Sequence, residues 1–201
     1  IEGIDAPLIT TGGELHGLTV SRDEILGAFL DRLDNFASTL AFEFNKLHSS
    51  GQGSTGYTQL TSEFAVDDAN LALDAAGLTY TPVNGGFQMQ LFDRATGLTK
   101  TYDIGVTLNG LGNDTTLNDL AAQIDAIDGI SASVSSTRQL KISADGTGQE
   151  IAFANDTSGV LAALGLNTFF SGTSAATLGV NQTLLADPTK FAASNEGIGE
   201  G

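Results

Sequence analysis

His16 and His48 are the only imidazoles in the chain, and cysteine is absent. Thiolate nucleophiles, disulfides and cysteine-based zinc sites are therefore excluded. The two histidines flank a stretch that reads as one helix. At about 1.5 Å per helical residue they stand tens of ångströms apart, too far to share a metal. Serines are numerous, yet none lies in the strand–G-x-S-x-G–helix context that presents a nucleophile. His48 reads as a polar residue closing a helix C-terminus, where a protonated imidazole would meet the negative end of the dipole.

Carboxylates gather at Asp67 and Asp68 with Asn70 and Asp74, at Asn113 with Asp114, and at Asn155 with Asp156. A calcium loop needs oxygen ligands at alternating positions and a sharp glycine turn, and no D-x-[DN]-x-[DN]-G pattern occurs. These pairs read as solvated turns and helix caps. Gly12 with Gly13 and Gly85 with Gly86 lack both the P-loop and the dinucleotide-binding contexts, so they read as hairpin turns. Phe169 and Phe170 read as a buried anchor rather than a ligand-stacking pair. No catalytic, cofactor-binding or metal-ligating residue is assigned, and no enzymatic activity is expected.

The elements that carry these residues fall into three stretches, with expected borders at 1–52, 53–166 and 167–201. In the first, the apolar run with Gly12 and Gly13 at its centre predicts a hairpin over 8–20. Ser21 and Glu24 have the spacing of a capping box. Leu26, Phe29, Leu33, Phe36, Leu40, Phe44 and Leu47 then recur every three or four residues, predicting an amphipathic helix of roughly 27 residues. So long a helix needs a partner along its length. The hairpin, with Phe169, Phe170 and Phe191 from the end of the chain, is expected to cover the stripe in part and keep this chain monomeric.

A Gly/Ser/Thr/Gln linker over 51–56 opens the second stretch. Strands are predicted at 87–92, 99–106, 130–135, 139–143 and 150–154, separated by turn-forming residues. Thr116 is expected to cap a helix with Leu117, Leu120, Ala121, Ile124 and Ile127 on one face, stopped by Gly129. A short helix over 158–164 ends at Gly165. The fold class is α+β: a long helix and a β-hairpin, with a β-rich domain inserted into the helical part. The third stretch reads as an irregular return that packs back on the long helix.

Composition narrows the function without naming it. The 201 residues carry 24 acidic and 8 basic side chains, a formal charge of −16, with 41% apolar residues and only 3 prolines. This is folded, acidic protein, repelled by phosphate backbones and anionic bilayers, so neither nucleic acid nor membrane is an expected partner. No apolar run approaches the length of a membrane-spanning helix. The chain opens at Ile1 with no signal peptide, and is expected to be a piece of something longer.

Residues 12–26 run Gly12, Gly13, Glu14, Leu15, His16, Gly17, Leu18, Thr19, Val20, Ser21, Arg22, Asp23, Glu24, Ile25 and Leu26. This block resembles the signature of the hook-associated protein 1 family of bacterial flagella. The pattern there is a glycine pair, Leu15, Gly17 and Leu18, then Arg22 and Asp23 opening a long helix. It continues here through Leu33, Asp34, Leu40, Asn45 and His48. The run 158–172, with Phe169 and Phe170, and the run 187–194, beginning Asp187 and Pro188, are similar to that family's later blocks. The middle, 53–151, carries little of the resemblance.

The resemblance implies a structural protein of the hook–filament junction, exported through the flagellar secretion apparatus and working outside the cell. Its implied partners are copies of itself, the hook, adjacent junction proteins and an export chaperone. Its polymerising helices would lie at the extreme termini of the full-length protein. Flagellin and the other hook-associated proteins are near alternatives, against which the Arg22–Asp23 block argues. An exported β-rich binding module, adhesive or carbohydrate-binding, is the alternative of a different class. Sugar sites favour exposed aromatic platforms, and the chain has no Trp and only Tyr57, Tyr80 and Tyr102.

Overall fold

A computed structural model describes residues 11–194 and Ile198. The chain enters on extended Gly12, and Gly13 takes a left-handed φ of 79° before the helix sets in. Helix α1 (Gly13–Val20), a π-helical turn (Ser21–Leu26) and α2 (Gly27–Ser49) then follow one another with helical backbone at both joints. The result spans about 55 Å at 1.5 Å per residue. It corrects two expectations. The hairpin's second half is helix, and its first residues, Leu8 and Ile9 among them, lie outside the described residues. Thr19, which looked like a strand residue, instead returns its hydroxyl to the Leu15 carbonyl at 2.8 Å, a bond that β-branched hydroxyl residues make inside helices. Ser21 caps nothing, because Val20 before it is already helical and leaves no helix start to close.

Beyond the helix, strand β1 (Gln59–Thr61) leads into irregular chain before β2 (Gly85–Asp93) and β3 (Leu98–Val106). Helix α3 (Leu117–Asp125), strands β4 (Ile130–Val134), β5 (Leu140–Ala144) and β6 (Gln149–Ala154) and helix α4 (Val160–Leu164) follow. Two antiparallel sheets result, with strand orders β3-β2-β6 and β1-β5-β4. The predicted strands and both short helices lie within a residue or two of their expected places. Thr116 starts α3 with a full capping box: its hydroxyl takes the Asp119 amide at 3.1 Å, and the Asp119 carboxylate takes the Thr116 amide at 3.0 Å. Gly165, at φ 72°, ends α4 in the left-handed conformation that residues with a Cβ resist.

One core fills the space between the sheets and these two helices. Phe87, Met89 and Leu91 of β2 alternate inward and meet Ile104, Ile151 and Phe153 of the flanking strands, with Leu120, Ile124 and Ile127 of α3 closing the cluster. Strand β6 is buried on both faces from Glu150 to Ala154. Its second face carries Glu150, which takes the Gly56 amide at 3.0 Å and pairs with Arg94 at 2.5 Å.

The return stretch is more ordered than expected. A two-stranded ribbon, β7 (Phe170–Ser171) with β8 (Gly179–Val180), precedes α5 (Gln182–Ala186) and a 3-10 turn over Pro188–Lys190. The 51–56 segment is likewise no loose spacer. Gln52 pairs with Ser194, and a Cβ on Gly53 would run into the carbonyl oxygen of Thr189 and lie 2.7 Å from Lys190 Cα. Glycine is needed there because two backbones touch.

Candidate functional site

With two sheets and their helices accounting for one core, the long helix is the element left to explain. Its buried residues are Ala37, Ala41, Asn45 and His48, a line of small and polar side chains repeating every three or four residues, with Ser49 beside the last. The Leu/Phe stripe sits one residue earlier at each turn, about 100° around the helix. It is uncovered: Leu26 is 51% exposed, Phe29 60%, Phe36 65% and Leu47 76%. The expected cover is corrected accordingly. The 13–20 segment continues the helix instead of folding over it. On the stripe itself the return segment packs on Phe44, where the rings of Phe169 and Phe170 have their centres 5.1 and 5.3 Å away.

The small face allows the body to come close. Tyr80 stacks on Phe42 at 4.1 Å and donates its hydroxyl to the Ser38 carbonyl at 2.6 Å. Asp34 accepts the Ala175 amide at 2.8 Å. No described residue before Ala37 on this helix is buried. Roughly the first 30 Å of the rod therefore stands clear of the body.

The family-signature positions divide along the same line. Gly12, Gly13, Leu15, Gly17, Leu18, Arg22, Asp23, Leu26 and Leu33 are strung along the uncovered part. Arg22 and Asp23 bond each other at 2.5 Å in open solvent, which raises the guanidinium pKa and lowers that of the carboxyl. Asn45, His48, Phe169 and Phe170 are drawn together at the base of the helix. Asn45 accepts the amides of Phe169 (3.0 Å) and Phe170 (2.8 Å) on one oxygen and donates to the Phe170 carbonyl at 2.9 Å. His48 is bonded to the Asn167 carbonyl and to the Ala192 amide. Asp187 caps the 3-10 turn that starts at Pro188, and it pairs with Lys190 at 2.9 Å. The Thr189 hydroxyl and Lys190 hold the Asp187 carboxyl down to about 2.

Two features at this base carried no signal that motif reading detects. Asn167, in the left-handed region at φ 50°, donates to the Gly51 carbonyl at 2.8 Å and accepts the Tyr57 hydroxyl at 2.9 Å. Burial, with help from the Asp187 carboxylate, pushes the Tyr57 phenol up to about 12. Lys190 reaches back to the Gly56 carbonyl at 3.0 Å. The 4-4-3 spacing of Ala37, Ala41, Asn45 and His48 was the legible clue to the seam, since small residues at helical period permit close approach. His48 lies in the last turn of the helix, where it is buried and its pKa is lowered, chiefly by desolvation.

No group of three potential metal ligands exists among the described residues, and none of the described helices is long and apolar enough to cross a membrane. The described residues thus form a rod with an open apolar face, rooted at one end in a mixed α+β body. Residues 3–63 match the family model described as the flagellar hook-associated protein FlgK helical domain, so this stretch of the chain is similar to the helical domain of flagellar hook-associated proteins. No curated protein matches the chain. The family's role is structural and flagellar.

Proposed function

We propose that this chain serves in the ring that joins hook to filament, outside the cell, with the uncovered stripe of its long helix completed by helices of the assembled flagellum. The observation that carries the reading is that the family match over 3–63 contains the whole uncovered stripe of the helix. Burying a leucine or phenylalanine contributes roughly 1.5–3 kcal/mol, and along this stripe that stabilisation is realised only on contact with another surface. The division at 1–52, 53–166 and 167–201 belongs to the same reading, with the middle portion displayed away from the joint. Copies of the chain, the hook and the adjacent junction protein are the partners it requires, and an export chaperone precedes them. The three tyrosines give the carbohydrate-module alternative little support: Tyr57 and Tyr80 are engaged as described, and Tyr102 packs on the core.

The test is complementation in flagellated cells lacking their own junction protein. Full-length protein containing this chain is expected on isolated hooks, with filaments attached. A Leu33→Asp, Phe36→Asp double variant is expected to be exported but absent from hooks. Labelling of the middle portion along the whole filament, or normal motility of the double variant, would overturn the reading.

A further inference from the structure

We infer that His48 is a proton-sensitive latch: uptake of a proton at its Nε2 loosens the 191–194 segment from the base of the long helix. The side chain is 4% exposed and uses both ring nitrogens. The Ala192 amide lies 3.1 Å from Nε2, and Nδ1 lies 2.9 Å from the Asn167 carbonyl oxygen. An amide N–H only donates, so Nε2 accepts; a carbonyl only accepts, so Nδ1 carries the proton. One tautomer of the neutral ring satisfies both neighbours. The imidazolium satisfies one of them and sets an N–H against the Ala192 N–H.

Three segments meet at this ring. The helix supplies it, 167–170 takes its Nδ1 proton, and 191–194 donates to it, while Phe169 and Phe191 pack against it with centres 5.8 and 5.3 Å away. The other backbone ties of 191–194 include those to Gln52, at 2.8 to 3.2 Å. The charged and titratable groups on the surrounding elements are already engaged. Glu43 pairs with Lys46 on the helix, Asp187 pairs with Lys190 on the return, and Asp156 receives the backbone amides ahead of α4. Tyr57 donates to Asn167. Among the described residues no carboxylate stands within ion-pair distance of His48, so nothing compensates a positive ring. Desolvation lowers its pKa, opposed by the Asn167 carbonyl. An unfolded histidine takes its proton near pH 6.5, and the folded ring only at lower pH. The contribution of the latch is therefore complete above about pH 6.5 and is lost as pH falls from there to the folded value.

The chain has only two histidines, so ring-nitrogen spectra of the labelled protein resolve them. At pH 7.5 His48 is expected as the Nδ1–H tautomer. Between pH 7.5 and 5, protection of the Ala192 amide from exchange, corrected for intrinsic rate, is expected to fall by about tenfold or more. The β2–β6 amides should be unaffected, and His16→Gln should behave as the parent. In His48→Gln the pH response of Ala192 should vanish. Should that variant lose β2–β6 protection as well, the parent decides: one shared midpoint for the ring and the Ala192 amide supports the latch, and separate midpoints refute it. An Nε2–H tautomer at neutral pH, or Ala192 protection unchanged down to pH 5, would also overturn it.

Discussion

Ile124 and Leu33 hold equivalent places in two helical periodicities, each in the middle of an apolar stripe. The first is fully buried between two sheets, and the second is 41% exposed on a rod. The difference is not in the stripes but in what the rest of the chain brings to them. Strands β2 to β6 fold back on α3 within about forty residues, so that stripe meets a partner from its own neighbourhood. The long helix buries only its small and polar face against the body, through Ala37, Ala41, Asn45, His48 and Ser49, where small side chains let backbone and rings approach. Periodicity states which side chains share a face. It does not state which face is covered.

The largest expected effect lies in the body. Ile124→Asp places an unpaired charge in a dry core and should cost on the order of 3–5 kcal/mol by denaturant titration. A variant that unfolds like the parent would break the contrast from that side. At the base of the helix, Asn45→Ala strips three backbone partners at once and should cost about 2–3 kcal/mol. Selective loss of amide protection at Phe169 and Phe170 would locate the damage. Ala41→Leu tests the seam directly: overpacking there should cost about 1–3 kcal/mol, whereas an unchanged midpoint would mean that the body does not press on that face.

A pH experiment sharpens the same boundary. Tyr57 holds its proton to about 12 in the fold, while an unfolded tyrosine releases it near 10. The folded state thus binds more protons between those values, and stability should decline as pH rises through them. Absorbance of the phenolates should show a step at about pH 12, and Tyr57→Phe should remove that step. The smallest expected effect is on the stripe itself. Leu33→Ser should change unfolding free energy by no more than about 0.5 kcal/mol, as exposed positions do. A cost several times larger would mean that the stripe is covered within this chain. Light scattering at low and high salt addresses the expected monomer: sixteen net charges oppose association at low ionic strength, and Leu33→Asp should abolish any association that salt permits.

Local chemistry decided a good deal. Thr116 with Asp119, the stop at Gly165, the alternation of Phe87, Met89 and Leu91 and the helical period from Leu26 onward are all interactions within a few residues, so a linear reading finds them. The long helix itself was legible from its stripe, and its family resemblance from the block at 12–26. The start of the helix was not, because a glycine pair between apolar residues serves equally as a hairpin turn or as a boundary before a helix; hydrogen bonding from Gly13 onward chose the second. Tertiary structure alone decided that Gln52 and Gly53 pack on Thr189 to Ser194, and that the Ala192 amide meets Nε2 of a buried His48. Each of these depends on segments more than a hundred residues apart in sequence, and the solvation of a side chain follows from what lies against it rather than from its neighbours along the chain.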